Sequence, residues 1–299
     1  MAQPAEAAVP NTPVATIVTR EVAAERLMAE LERLQALPSV ALEVIQTVDD
    51  PNASVRDVDQ VVSKDPTVAA RLFKLANSAF YARGNAVTTI NDAVRKLGFK
   101  TIRNLAVAAC AGKALSRPMN SYPFEELGLW KHSLGLALAV RTLATEFAPL
   151  RSVRDELFLA GLMHDVGKLV LDPILADTVE AGTLTLERET ALAGLDHQAV
   201  GLRIAESWNL PAHTAAVINN HHQLDPNDEF ATHAAAINVA DYILNAARFG
   251  LCADAEVHQS PDSRALSLLE LDRESLAELE QCVIRELPEV LSMCDALRP

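Results

Sequence analysis

The chain has 299 residues and a mass of 32.3 kDa, enough for one large domain or two modest ones with a sizeable core. Apolar residues make up 49% of it, which excludes a disordered tail protein, and only 4% is aromatic, so the core is expected to be Leu, Ala and Val. Lys and Arg number 26 against 40 Asp and Glu, a net charge of −14, which argues against sequence-independent nucleic-acid binding and against adhesion to an anionic membrane, since both need basic surface.

Residues 1–20 read as a flexible tail, because Pro4, Pro10 and Pro13 interrupt a stretch with no helical stripe. A first helix is expected from about Thr19 through EVAAERLMAELERLQAL, with Leu27, Leu31 and Leu34 at helical spacing and Pro38 ending it. ALEVIQTVDD follows as a short amphipathic helix stopped by Asp50-Pro51-Asn52. Ser54 can cap VRDVDQVVSK, and Asp65 can cap PTVAARLFKLANSA with Pro66 in the first helical position. Thr89 or Asn91 starts NDAVRKLG, which Gly98 ends, and TIRNLAVAACAGKAL is apolar nearly all round and so central. Ser116 to Tyr122 is the best internal boundary. It divides an N-terminal helical lobe, 21–118, from a second helical lobe, 119–299. The second lobe carries FEELGLWKHSLGLALAVRTLATEF, DELFLAGLMHDVGKLVLD, HQAVGLRIAESWN, PAHTAAVINNHH and THAAAINVADYILNAARFG, and closes with SRALSLLELD and RESLAELEQCVIREL. No alternating run argues for a sheet, so the fold class is all-α, a multi-helix bundle whose two lobes pack together.

The four cysteines, Cys110, Cys252, Cys282 and Cys294, form no C-x-x-C pair, which suits a reducing, cytoplasmic compartment. Met1 to Pro10 lacks the features of a signal peptide, and no run of about 18 apolar residues suggests a membrane span.

Eight histidines are present, and His132, His164, His197, His221 and His222 fall in one half of the chain, with Asp165 beside His164 and Asp241 further on. Imidazoles with carboxylates suit Zn, Fe, Mn or Ni. Alone, a His-Asp dipeptide is weak, expected by chance about 0.5 times at this composition. Context strengthens it. His132 shares a helix face with Leu136, Val140 and Leu143, Asp241 lies inward with Ala234 and Ile237, and His164-Asp165 sits in the apolar segment LFLAGLMHDVGKLVL. An inward carboxylate needs a partner, and several such groups from different helices are satisfied most simply around an ion. Lys168, one turn after His164, can meet a phosphate oxygen or pair with Asp165 or Asp172. His197 either completes a second metal position or caps its helix. No role is assigned to His213, while His233 and His258 read as surface residues, and Glu187, Arg188 and Glu189 as a solvated turn.

These residues, in this order, resemble the HDOD family, the HD-related output domain of bacterial signalling proteins. LPSVALEVIQTVDDPNASVRDVDQVVSKDPTVAARLFKLANSAFY (37–81), INDAVRKLG, WKHSLGLA, FLAGLMHDVGKLVL, the Glu187–Arg188 pair, DHQAVG, WNLP and His221-His222 carry the likeness over about residues 30–230. The resemblance implies an HD-type helical fold related to metal-dependent phosphohydrolases, in a family viewed as signalling modules without demonstrated catalysis. It also implies a ligand set for one divalent metal at His132, His164, Asp165 and Asp241, and for a second at His197, His221 and His222. Asp165 would bridge the two ions and Lys168 would steady a phosphate, which makes these two the candidate catalytic residues. Two departures stand out. QLDPNDEF follows His222 where the cyclic di-GMP-hydrolysing HD-GYP branch has a Gly-Tyr-Pro segment, and Gly128 stands where that branch can place a carboxylate. The resemblance therefore favours a cytoplasmic signal-transduction output module acting on a partner protein or a small nucleotide ligand, its metal site structural. The alternative is a phosphohydrolase of a nucleotide other than cyclic di-GMP.

Overall fold

The computed structural model describes residues 20–34, 39–50, 52–81, 85–176, 184–253 and 260–297. The expected tail therefore lies outside the described residues, apart from Arg20, as do Pro38 and His258.

The described chain is helical throughout, with one isolated bridge between Phe124 and Leu251 and no strand among the described residues. The described chain opens with α1 (Arg20–Arg33), α2 (Ser39–Asp49), α3 (Val55–Val62), α4 (Pro66–Ala76), α5 (Ile90–Leu97) and α6 (Phe99–Leu115). The helix ends follow local chemistry. Asp57 accepts from both the backbone N–H and the hydroxyl of Ser54. The Asp65 carboxylate caps α4 through the N–H groups of Thr67 and Val68. The Thr89 hydroxyl caps α5, and Gly98 ends it in the left-handed region at φ +84°. α1 stops at Arg33, short of the expected Leu37. α6 is buried from Thr101 to Gly112, as its apolar composition requires.

The chain continues with α7 (Gly128–Glu146), α8 (Arg154–Met163), α9 (Lys168–Leu175), α10 (Leu186–Ala193), α11 (His197–Ser207), α12 (Ala212–Asn220), α13 (Ala231–Ala246), α14 (Ser263–Leu268) and α15 (Arg273–Ala296). α7 and α8 form the closest pairing, and α15 lies along α7. One apolar cluster runs without a break from Leu27 in α1 through Trp130 and Leu134 in α7 to Val200 and Ile204 in α11, so the early and later helices share a core. A second cluster, with Leu143, Ile237, Ile243 and Val283, joins α7, α8, α13, α14 and α15. The segment between α6 and α7 is fastened. Asp172 Oδ1 accepts from the backbone N–H of both Asn120 and Ser121, each at 2.7 Å. No described helix is long and apolar enough to cross a membrane.

Two glycines permit close approaches on which the site depends. A Cβ at Gly128 would stand 2.2 Å from the carbonyl oxygen of Gly250, so no carboxylate side chain fits at this position. A Cβ at Gly167, just before α9, would stand 2.0 Å from the carbonyl oxygen of His197 and 2.8 Å from the amide nitrogen of Gly201. That contact is backbone against backbone and cannot relax by a rotamer change. Gly167→Ala is expected to destabilise the protein by about 3 kcal/mol, read as a lower midpoint in urea, because overpacking here must move α9 away from α11.

Candidate metal centre

Six elements bring the polar residues to one place. His132 projects from the second turn of α7. His164 and Asp165 follow the end of α8, and Lys168 opens α9. His197 is the first residue of α11, set there by Asp196, whose carboxylate caps the helix through the Ala199 N–H. His221 and His222 follow α12, and Asp241 lies within α13. His132, His164, Asp165, His197, His221 and Asp241 are all buried, and His222 is half-buried.

The hydrogen bonds fix which imidazole nitrogen carries a proton. His164 Nδ1 lies 2.8 Å from the carbonyl oxygen of Gly161, and His221 Nδ1 lies 3.0 Å from that of Ile218. A carbonyl only accepts, so both Nδ1 atoms donate. His197 Nδ1 likewise donates to Glu189, 2.8 Å from Oε2. In the neutral rings each Nε2 is then a bare lone pair, and the three point at Asp165. His164 Nε2 is 3.3 Å from Oδ2, while His197 Nε2 and His221 Nε2 are 3.4 and 3.8 Å from Oδ1. The Nε2 atoms of His197 and His221 face each other at 3.4 Å. Asp165 Oδ1 and His164 Nε2 are buried without a hydrogen-bond partner. Acceptors converging on acceptors repel unless a cation lies among them. Nitrogen and carboxylate donors are the set that divalent transition metals take.

The donor atoms form two groups that share Asp165. One holds Asp165, His197, His221 and His222, and the other His132, His164 and Asp165, with the ligating atoms of each group within 4.8 Å of one another. Asp241 stands outside both groups, its Oδ1 3.0 Å from His132 Nε2. Lys168 donates to Asp165 Oδ2 at 2.6 Å, which settles its ion pair on Asp165 rather than Asp172.

Burial drives the His221 imidazole down to about 4 and that of His222 well below its ordinary range, so both are neutral near pH 7. Burial opposes charge on Asp165 too, but His164 and Lys168 outweigh it and hold the carboxyl ionised. At His164 burial disfavours the proton, and the Asp165 carboxylate more than compensates, raising its pKa. The same physics expresses one demand, for positive charge between His164 and Asp165. Lys168 is kept charged against burial by Asp165, and Asp241 is held ionised against burial by its hydrogen bond with His132.

Two expectations are corrected. Glu189 is not in a solvated turn. It is buried and accepts from the backbone N–H and Nδ1 of His197 and from the hydroxyl of Tyr122. Its spacing from Leu186 and Ala193 puts it on their inward stripe, the signal that flagged Asp241 and that applies equally here. His233 is buried, not on the surface, with Nε2 3.1 Å from Glu156 Oε2, and His213, given no role, stacks beside it. Gln198, unmarked in the sequence, accepts the backbone N–H of His222 and so sets that residue's course.

The centre opens on a cavity of about 630 Å³ lined by Lys168, His132, His197, His222 and Asp241 among others. The cavity is of the size that takes small molecules.

A family model described as the HDOD domain matches residues 34–224. A Treponema pallidum (strain Nichols) protein described only as uncharacterized is 25% identical over 202 residues, which cover 65% of this chain and 38% of that protein. The chain thus spans under half the length of this curated relative. Among solved structures, a candidate signal-transduction protein from Marinobacter aquaeolei VT8 superposes with a TM-score of 0.70 at 21% identity, covering 96% of this chain and 68% of that one. A candidate phosphohydrolase from Shewanella amazonensis SB2B gives a TM-score of 0.68 at 24% identity, covering 92% and 98%. These two likenesses establish the fold.

Glu189→Gln keeps the shape but removes the charge that holds His197 Nδ1 protonated. It is expected to weaken divalent-metal affinity about 10–100-fold, measured by competition with a chelating dye, with little change in helicity.

Proposed function

The chain belongs to the HDOD family, and we propose that it is a signal-transduction module that takes up a phosphate-bearing small molecule at a centre of one or two divalent metal ions. The ions would be Fe, Mn, Ni or Zn, held by His132, His164, Asp165, His197, His221 and His222, with Asp241 supporting His132. The observation that carries this reading is that the centre faces an accessible cavity with Lys168 on its wall. A purely structural metal site is closed by protein ligands, whereas a working one keeps a side open. The earlier structural-metal reading is therefore the weaker one. All four cysteines are free, which supports a reducing, cytoplasmic setting.

Hydrolysis of the bound phosphoester is the second reading, favoured by the sharing of Asp165 between two donor groups. Bound metals would supply Lewis-acid polarisation of a phosphoryl oxygen. The chain's own contributions are distinct. Lys168, held charged by Asp165, meets a phosphate oxygen, and Glu189 and the carbonyls of Gly161 and Ile218 keep the imidazole Nε2 lone pairs directed at the centre.

Protein purified without a tag or chelator is expected to carry about one or two equivalents of transition metal by mass spectrometry, lost in His164→Ala/Asp165→Ala. Inorganic phosphate should bind the metal-loaded protein and bind about tenfold more weakly to Lys168→Met, with the metal retained. Phosphate release from a nucleotide panel above the double-variant background would establish hydrolysis. Binding without release would leave the module a sensor, and absence of metal after reconstitution would overturn the proposal.

A further inference from the structure

The cavity over the metal centre is charged unevenly. Lys168 is the one Lys or Arg among its described lining residues, and its ammonium is already bound to Asp165. The remaining charged groups on the wall are carboxylates. Asp241 and Glu189 are engaged with His132 and His197, whereas Glu187 is exposed at the mouth and Asp262 lines the wall half-buried. Arg264 pairs with Asp262, but its guanidinium is also committed to the Leu224 carbonyl and does not line the cavity. A phosphate on the metal centre is therefore matched by Lys168 and the ions, but a second phosphate further out meets the exposed Glu187 carboxylate and no further Lys or Arg among the described lining residues.

The rest of the wall suits an uncharged organic group. α13 turns Asn238, Asp241, Tyr242 and Asn245 toward the cavity, the i, i+3, i+4 and i+7 positions of one helix face. The Asn238 amide is engaged, donating to the His221 carbonyl and accepting from the Asp262 N–H. Asn245, one turn beyond Asp241, is half-buried, and its side-chain amide makes no hydrogen bond with any described residue. It offers a donor and an acceptor to whatever fills the outer cavity. Leu184, Leu186, Leu251 and Pro261 supply apolar wall around it.

Resting on the reading that the centre takes a phosphate, we propose that its ligand is a phosphate monoester of an uncharged, hydrogen-bonding body such as a nucleoside. Glu187 turns away polyphosphates and cyclic dinucleotides, and Asn245 contacts the body. Discrimination of this kind comes from like charge placed where a wrong ligand must put its second phosphate.

The test is isothermal titration of Mn-loaded full-length protein with inorganic phosphate, the four ribonucleoside 5′-monophosphates and their triphosphates, free Mn held above the nucleotide concentration. At least one monophosphate is expected to bind about tenfold more tightly than both its triphosphate and inorganic phosphate. Glu187→Lys should narrow the gap to the triphosphate by several-fold, and Asn245→Ala should weaken the monophosphate while leaving inorganic phosphate unchanged. Triphosphates binding as tightly as monophosphates to the unaltered protein overturn the inference, as do monophosphates binding no better than inorganic phosphate. If inorganic phosphate itself does not bind, the phosphate reading fails first, and the two failures are told apart by that single titration.

Discussion

The structure depends on one buried carboxylate. Asp165 sits at the end of an apolar helix, shielded from water, with one oxygen on Lys168 and the other facing the lone-pair nitrogens of His197 and His221. An ionised carboxylate in such surroundings is costly unless positive charge surrounds it. That requirement draws α8, α9, α11 and the end of α12 to a common point, and it is the same requirement that makes the point suitable for a divalent ion.

A supporting layer makes the geometry specific. The carbonyls of α8 and α12 orient His164 and His221, Glu189 from α10 orients His197, and Gln198 steers His222. Below this layer the pattern repeats. Glu156, His213 and His233 meet in the first turns of α8, α12 and α13, each eight residues before His164, His221 and Asp241. Eight residues of helix rise about 12 Å, so these three helices run side by side in one sense and are pinned at two levels. The fastening lies within the helices themselves, which keeps the ligands placed while the cavity side stays open.

The departures from the HD-GYP pattern acquire a physical meaning in this frame. Gly128 is not a ligand position that has lost its carboxylate without consequence, because the backbone of Gly250 fills the space a side chain would need. The chain from Glu125 is held to that backbone by a hydrogen bond to the Gly250 carbonyl. The cavity wall that results is formed by α13 and the segment before α14, and its charge, not a Gly-Tyr-Pro segment, bears on what can enter.

Helix content, most helix starts and the inward set of His132, His164, Asp165 and Asp241 were legible from the sequence, because periodicity and capping are local and a polar residue on an apolar stripe announces itself. Family-pattern spacing marks His197, His221 and His222 in the sequence as well. Glu189 carried the same stripe signal as Asp241 but was masked by its charged neighbours Glu187 and Arg188, and His233, at i, i+4, i+8 spacing with Ile237 and Asp241, carried that signal as well. The sharing of Asp165 between two donor groups, the position of Asp241 against His132 and the open side of the centre were decided only by tertiary structure. Each is a relation between side chains on different elements, set by how closely helices approach where Gly128 and Gly167 lack a Cβ, and no spacing along one chain encodes that distance.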